Sequence, residues 1–229
     1  FLKYILFAFV FTMHSSENDS SSHNQDFSSS TVIGHYYKQM IEAIRALKVQ
    51  NMNRAIEMIQ EAYENKQRIF IIGNGGSHAT SSHFVADLSK TVFGKNPYPG
   101  IQAHPFDVEC LSDNVSTLTA TSNDLPNGYN HIFALPLTAK AKKNDLLIVI
   151  TGSGNSLNIL EALKVAKNKW VKTIGFLGFD WGQAKDLCDH TIIVESSNYG
   201  VIEDMHSTFM HAITDYFIHY MRSKGYNNR

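Results

Sequence analysis

Residues 68–77 read RIFIIGNGGS, and residues 146–156 read LLIVITGSGNS. Each is a short, β-branched apolar run that ends in glycine and hydroxyl residues and then passes into helical spacing. Such a run, bounded by glycine, is predicted to be a buried strand. Glycine lets the following turn adopt positive φ and approach a ligand closely. The helix beyond it presents unpaired N-terminal amides with partial positive charge, a setting that suits a phosphate. Each loop alone also reads as an ordinary turn and cap. Two of them in one chain favour phosphate binding. Neither contains G-x-x-x-x-G-K-[ST] or a dinucleotide fingerprint, so the expected ligand is a phosphorylated metabolite rather than a nucleoside triphosphate.

Outward from these loops, strands and helices alternate. Further strands are predicted at 145–151, 173–179 and 190–195, with helices over 77–91, 155–169 and 182–187 and a long final helix from about 202 to 221. Apolar residues from Tyr36 to Ala62 recur at helical spacing, giving two leading helices or one with a break near Asn51. Residues 98–106 read as extended or loop, and 108–120 as a polar helix or turn. Strands alternating with helices imply an α/β fold, a three-layer sandwich whose mostly parallel central sheet is flanked by helices. Ligands of such folds gather beyond the carboxyl ends of the strands, where both glycine loops lie.

The chain has 229 residues and a net charge of −1, and 43% of its residues are hydrophobic. That supports one cored domain over residues 31–229 and argues against a strongly basic nucleic-acid binder. Residues 1–12, FLKYILFAFVFT, are apolar but shorter than the ~20 residues of a spanning helix. They lack a clear signal cleavage site and read as sequence upstream of a start at Met13, with a membrane anchor as the alternative. Residues 14–30, with eight serines, are expected to be a disordered tail. Cys110 and Cys188 are too few for a disulfide framework or thiolate zinc site and suit a reducing compartment. The eleven histidines are an excess to be explained.

GNGGSHATSSHFVADL and ITGSGNSLNILEAL, followed by GFDWGQAKDLCDHTIIV and VIEDMHSTFMH, resemble the sugar isomerase (SIS) domain. More narrowly, they are similar to the phosphoheptose isomerases, which convert sedoheptulose 7-phosphate to glycero-manno-heptose 7-phosphate. The resemblance runs from about Gly34 to Tyr220. It implies phosphate and substrate contacts at Asn74, Gly75, Gly76, Ser77, Asp124 (of the pair Asn123-Asp124), Thr151, Ser153 and Ser156. It implies zinc ligands at His83, Asp87, Glu203 and His211, with the base at Asp87, the acid at His211 and Glu203 in the catalytic set. It also implies a cytoplasmic homotetramer with active sites near subunit contacts. Asp87 stands where the best-known members have Glu, and Glu203 where they have Gln. Gly152 and Gly200 replace a threonine and an aspartate that touch the sugar.

The residue types suit that chemistry. Aldose–ketose isomerisation moves a proton between adjacent carbons while a second group manages the carbonyl oxygen, work fit for a carboxylate and an imidazole. His83 and Asp87 are four residues apart, so on a helix they share a face and can bind one ion. Glu203 and His211 are eight apart, a rise of ~12 Å on a continuous helix. Either Glu203 precedes the helix and folds back, or the site takes residues from two subunits. Asp204 reads as a complement to a helix N-terminus, His78 as a candidate ligand contact, and His206 as either a support for the site or a substrate contact. The competing function is a non-catalytic SIS module that binds a sugar phosphate and regulates a protein partner. Acidic and imidazole groups at all four ligand positions favour the enzyme.

Overall fold

The computed structural model describes residues 28–94 and 103–226. The apolar leader, the expected start at Met13 and the serine tail up to residue 27 lie outside the described residues, as do residues 98–102 of the predicted extended stretch. The tail was expected to run to Ser30, but Ser28 caps a helix: its Oγ accepts from the Thr31 amide at 3.2 Å. Helix α1 (Ser29–Ala46) and helix α2 (Val49–Glu64) follow. The break falls at Leu47 and Lys48, earlier than Asn51.

Five parallel strands form the sheet: β1 (Ile69–Gly73), β2 (Val108–Cys110), β3 (Leu146–Thr151), β4 (Lys172–Leu177) and β5 (His190–Ile193), in the order β2-β1-β3-β4-β5. Between them lie α3 (Gly76–Ser89), α4 (Val115–Asp124), α5 (Ala134–Lys140), α6 (Leu157–Asn168) and α7 (Ala184–Leu187), and α8 (Tyr199–Ser223) closes the fold. The strand over 108–110 corrects the expected helix or turn. Among the described residues it pairs only with β1, Ile69 opposite Val108 and Ile71 opposite Cys110, and its three residues include Glu109. So short an edge strand carries no readable alternation.

Strand residues alternate between two cores. Ile69, Ile71, Ile148, Ile150, Ile174 and Phe176 pack with α2, α3 and α8. Phe70, Ile72, Leu147, Val149 and Leu177 pack with α5, α6 and α7. Each fully buried side chain of this size stabilises the fold by about 1.5–3 kcal/mol. The sheet order reverses direction between β1 and β3, and a ligand crevice is expected at such a switch point. The two glycine loops leave the sheet from those two strands.

Candidate active site

The first loop is tighter than predicted. β1 ends at Gly73, only Asn74 and Gly75 intervene, and α3 starts at Gly76. Gly75 has φ of 55°, a left-handed turn that costs a side-chain-bearing residue energy. Neither α3 nor α6 has a side-chain hydrogen bond at its cap. Among the described residues, the amides of Gly76, Ser77, Leu157 and Asn158 find no partner. Two helix N-termini thus offer uncommitted donors at the switch point. Ser77 and Thr151 are buried beside them. Thr151 Oγ1 accepts from Gly154 N and Ser153 Oγ from Asn155 N, both at 3.3 Å, which holds the second loop in shape. Ser156 occupies the cap position of α6.

The loops are clipped together by a residue that sequence reasoning missed. Asn74 Nδ2 donates to Asn158 Oδ1 at 2.9 Å, and Asn158 Nδ2 donates back to Asn74 Oδ1 at 2.8 Å. Tyr129 Oη adds a third bond to Asn74 Oδ1 at 3.2 Å. Asn158 is 1% exposed, so no water can replace its partner cheaply. Asn158→Leu is expected to cost about 1–3 kcal/mol of stability. It should also raise KM for a phosphosugar, measured beside a thermal melt; an unchanged KM would show that the clip does not order the loops. Asp124 ends α4 as an exposed carboxylate accepting from Asn123 Nδ2 at 2.8 Å, and the bond from this connection to the first loop comes from Tyr129.

Helices α3 and α8 run in parallel with constant register. Gly76 faces Glu203, Thr80 Oγ1 meets Ser207 Oγ at 3.3 Å, and Thr214 Oγ1 donates to Asp87 Oδ2 at 3.3 Å. Each pair is separated by 127 positions (203 − 76, 207 − 80, 214 − 87). This register brings His211 to His83, with ring centroids 5.2 Å apart, and His83 Nε2 lies 3.9 Å from Asp87 Oδ2. One ligand atom from each of His83, Asp87 and His211 lies within 4.8 Å of the others. Two imidazoles and a carboxylate are a donor set found in catalytic zinc centres, with a fourth position left open. Asp87 is buried and held by Thr214, while the imidazoles are exposed, so the cluster faces solvent from an anchored carboxylate.

Glu203 does not join this cluster within its own chain. α8 begins at Tyr199, three residues earlier than predicted, so Glu203 is inside the helix and cannot fold back to a site two turns away. Its carboxylate lies against the first residue of α3, where it complements the helix dipole. A Cβ on Gly76 would sit 2.7 Å from Glu203 Oε1, so only glycine admits this approach. Gly76→Ala should leave Tm unchanged or higher, because the neighbour is the end of a flexible side chain and alanine favours a helix. It displaces Glu203, and kcat/KM should fall on the order of 100-fold, as for a misplaced catalytic group. Undiminished activity would remove Glu203 from the site.

The other histidines separate by environment. His206 is buried and donates from Nε2 to the Leu177 carbonyl at 3.2 Å, tying α8 to the end of β4. Burial holds it neutral, pushing its pKa down to about 4 against the opposing bond to Leu177. His78 bonds through Nδ1 to Ser112 Oγ at 2.7 Å and lies 3.9 Å from Asp113. Asp204 accepts from Tyr36 Oη at 2.5 Å, a dock for α1 beyond the expected dipole role. At the second loop, the ring of Tyr199 covers Gly152, 3.2 Å from where a Cβ would stand. The threonine of the resemblance is therefore replaced by room for an aromatic side chain.

The SIS domain family matches residues 34–178. Phosphoheptose isomerase from Aliarcobacter butzleri is 39% identical over 71% of this chain and 81% of its own length. The solved phosphoheptose isomerase of Francisella tularensis superposes with a TM-score of 0.73 at 28% identity, covering 84% of this chain and 98% of that one. The Neisseria gonorrhoeae structure gives 0.71 at 27% identity, over 82% and 95%. With its paired loops at the sheet's switch point and this similarity along most of its length, the chain belongs to the SIS domain family and, within it, to the phosphoheptose isomerases.

Proposed function

We propose that the chain isomerises sedoheptulose 7-phosphate to glycero-manno-heptose 7-phosphate by acid–base proton transfer. The carrying observation is that one helix, α3, bears both ends of the chemistry. Its N-terminus offers free amides and Ser77 to a phosphate; His83 stands about two turns on and Asp87 about three, and His211 joins them there. Seven residues separate Gly76 from His83, about 10 Å of helical rise. A seven-carbon chain built from C–C bonds of about 1.5 Å extends to roughly 8 Å, a comparable reach. A phosphate on C7, seated at the loops, thus leaves C1 and C2 near the cluster.

In this reading Asp87 takes the proton from C1 of the ketose and returns it to C2. His211 moves a proton between the oxygens on C2 and C1, so the carbonyl changes place with no net gain or loss of atoms. Zinc held by His83, Asp87 and His211 would act as a Lewis acid on the carbonyl oxygen. Glu203 stands at the phosphate loop of its own chain, and it reaches a cluster of this kind only as the contribution of a second copy.

A homo-oligomer, the tetramer that the resemblance implies, accords with the outer face of α1. Ile33, Tyr37, Ile41 and Ile44 form a helical stripe, each about half exposed or more. No helix among the described residues is long and apolar enough to cross a membrane. Both described cysteines are free, as suits the cytoplasm. A regulatory module would need only the hydroxyl loops, and the donor cluster on α3 and α8 favours the enzyme.

A panel of C5–C7 ketose phosphates, followed by NMR for aldose formation, tests the substrate. Turnover is expected with the C7 ketose phosphate. Turnover confined to a shorter sugar would replace the heptose assignment, and binding of every sugar with no turnover would favour the regulatory module.

A further inference from the structure

On a different face of α3 lies a second group of metal-ligating side chains. His78 precedes His83 by five residues, about 140° around the helix. It meets Cys110, the last residue of β2, and Asp113 in the turn before α4. One ligand atom from each of the three lies within 4.8 Å of the others. His78 Nδ1 is 3.7 Å from Cys110 Sγ, and His78 Nε2 is 3.9 Å from Asp113 Oδ1. Ser112 Oγ touches both His78 Nδ1, at 2.7 Å, and Cys110 Sγ, at 3.3 Å. Ser82 Oγ donates to Asp113 Oδ2 at 3.2 Å. The three donors therefore come from three elements, and neighbouring hydroxyls orient them.

We propose that His78, Cys110 and Asp113 form a second metal site, selective for a thiophilic divalent ion such as zinc and separate from the His83, Asp87 and His211 cluster. Imidazole, thiolate and carboxylate are all established zinc donors, and three of them leave a fourth position for water or Ser112. Ligand atoms around tetrahedral zinc stand about 3.3–3.8 Å apart, given bonds of 2.0–2.3 Å. An ion takes a single nitrogen of His78, and from separations of up to 4.8 Å the three ligand atoms close by about 1 Å through rotation of His78 and the exposed Asp113. Access is provided by an open surface groove of about 620 Å³ lined by Cys110, Asp113, Asn114 and Glu109. Without metal the thiol is protonated, since burial pushes Cys110 up to about 11. Binding displaces that proton as the Cys110 Sγ–metal bond forms, with no change of oxidation state. The site ties the end of β2 to the first turn of α3, next to Ser77.

Cobalt(II) distinguishes the two sites, because only this one contains sulfur. Metal-stripped full-length protein titrated with cobalt is expected to show the near-ultraviolet thiolate-to-cobalt charge-transfer band. Cys110→Ser should lose the band, whereas Cys188→Ser and His211→Ala should keep it. His78→Gln and Asp113→Asn retain the thiol and should weaken cobalt binding by at least about tenfold, since losing even an outer partner costs 10–100-fold. These two variants keep the test decisive should Cys110→Ser fold poorly. Absence of the band in the unmodified chain would overturn the proposal, as would its persistence in Cys110→Ser or unchanged affinity in both weaker variants. None of these outcomes depends on isomerase activity.

Discussion

Replacing His211 by alanine is expected to abolish turnover while phosphosugar binding stays measurable. The side chain lies on the exposed side of α8 and makes no described hydrogen bond, so its loss leaves the apolar packing of the helix untouched. Positioned general acid–base groups contribute about 10²–10⁴-fold, or roughly 3–5 kcal/mol of barrier. The same truncation removes one of the three donors within 4.8 Å. The loss should therefore reach the upper end of that range. The phosphate loops are two turns away on α3, and calorimetric titration with the ketose phosphate should still give saturable binding. Activity equal to the unmodified chain would remove His211 from the chemistry. His211→Gln separates the roles: an amide can hold a geometry but cannot shuttle a proton, so it should be as inactive as alanine.

Removal of metal is expected to be comparably severe. If His83, Asp87 and His211 hold a divalent ion, a chelator should bring activity to near background and zinc should restore it. Lewis-acid polarisation of a carbonyl is worth several kcal/mol, which corresponds to a loss of about three decades. Asp87 is the anchored member, held by Thr214, and Asp87→Asn should prevent rescue by zinc because a neutral amide is a poor ligand. His83 is more than half exposed, so His83→Ala should cost little stability while weakening zinc. Activity indifferent to chelators would leave Asp87 and His211 as a metal-free pair.

The fold was legible where the chain is most apolar. β1 and β3 are continuous buried runs that each lead into a glycine-containing loop, and those loops pointed to a phosphorylated ligand. β2 was not legible, because a three-residue edge strand containing Glu109 has too little length for a period to show. Asn158 escaped notice because, two positions past a cap, an asparagine reads as an ordinary helix residue; its partner is 84 positions away. Tyr129 was hidden for the same reason. His83 and Asp87 were readable as one helix face, since that needs only four-residue spacing. The pairing of that face with His211, and of Gly76 with Glu203, depends on the parallel register of α3 on α8. Packing across some 127 positions sets that register, and local periodicity does not encode it. Among the described histidines the same logic holds: His206 is a buried strut, and His78 lies with Cys110 and Asp113, neighbours that local spacing does not reveal.

The decisive experiment is to incubate the zinc-loaded protein with sedoheptulose 7-phosphate in D₂O and follow the sugar carbons by NMR. Acid–base transfer through Asp87 and His211 should yield the aldose phosphate with deuterium at C2, delivered from a carboxylate in exchange with solvent. Saturable binding of the ketose phosphate with no aldose formed would contradict the isomerase reading.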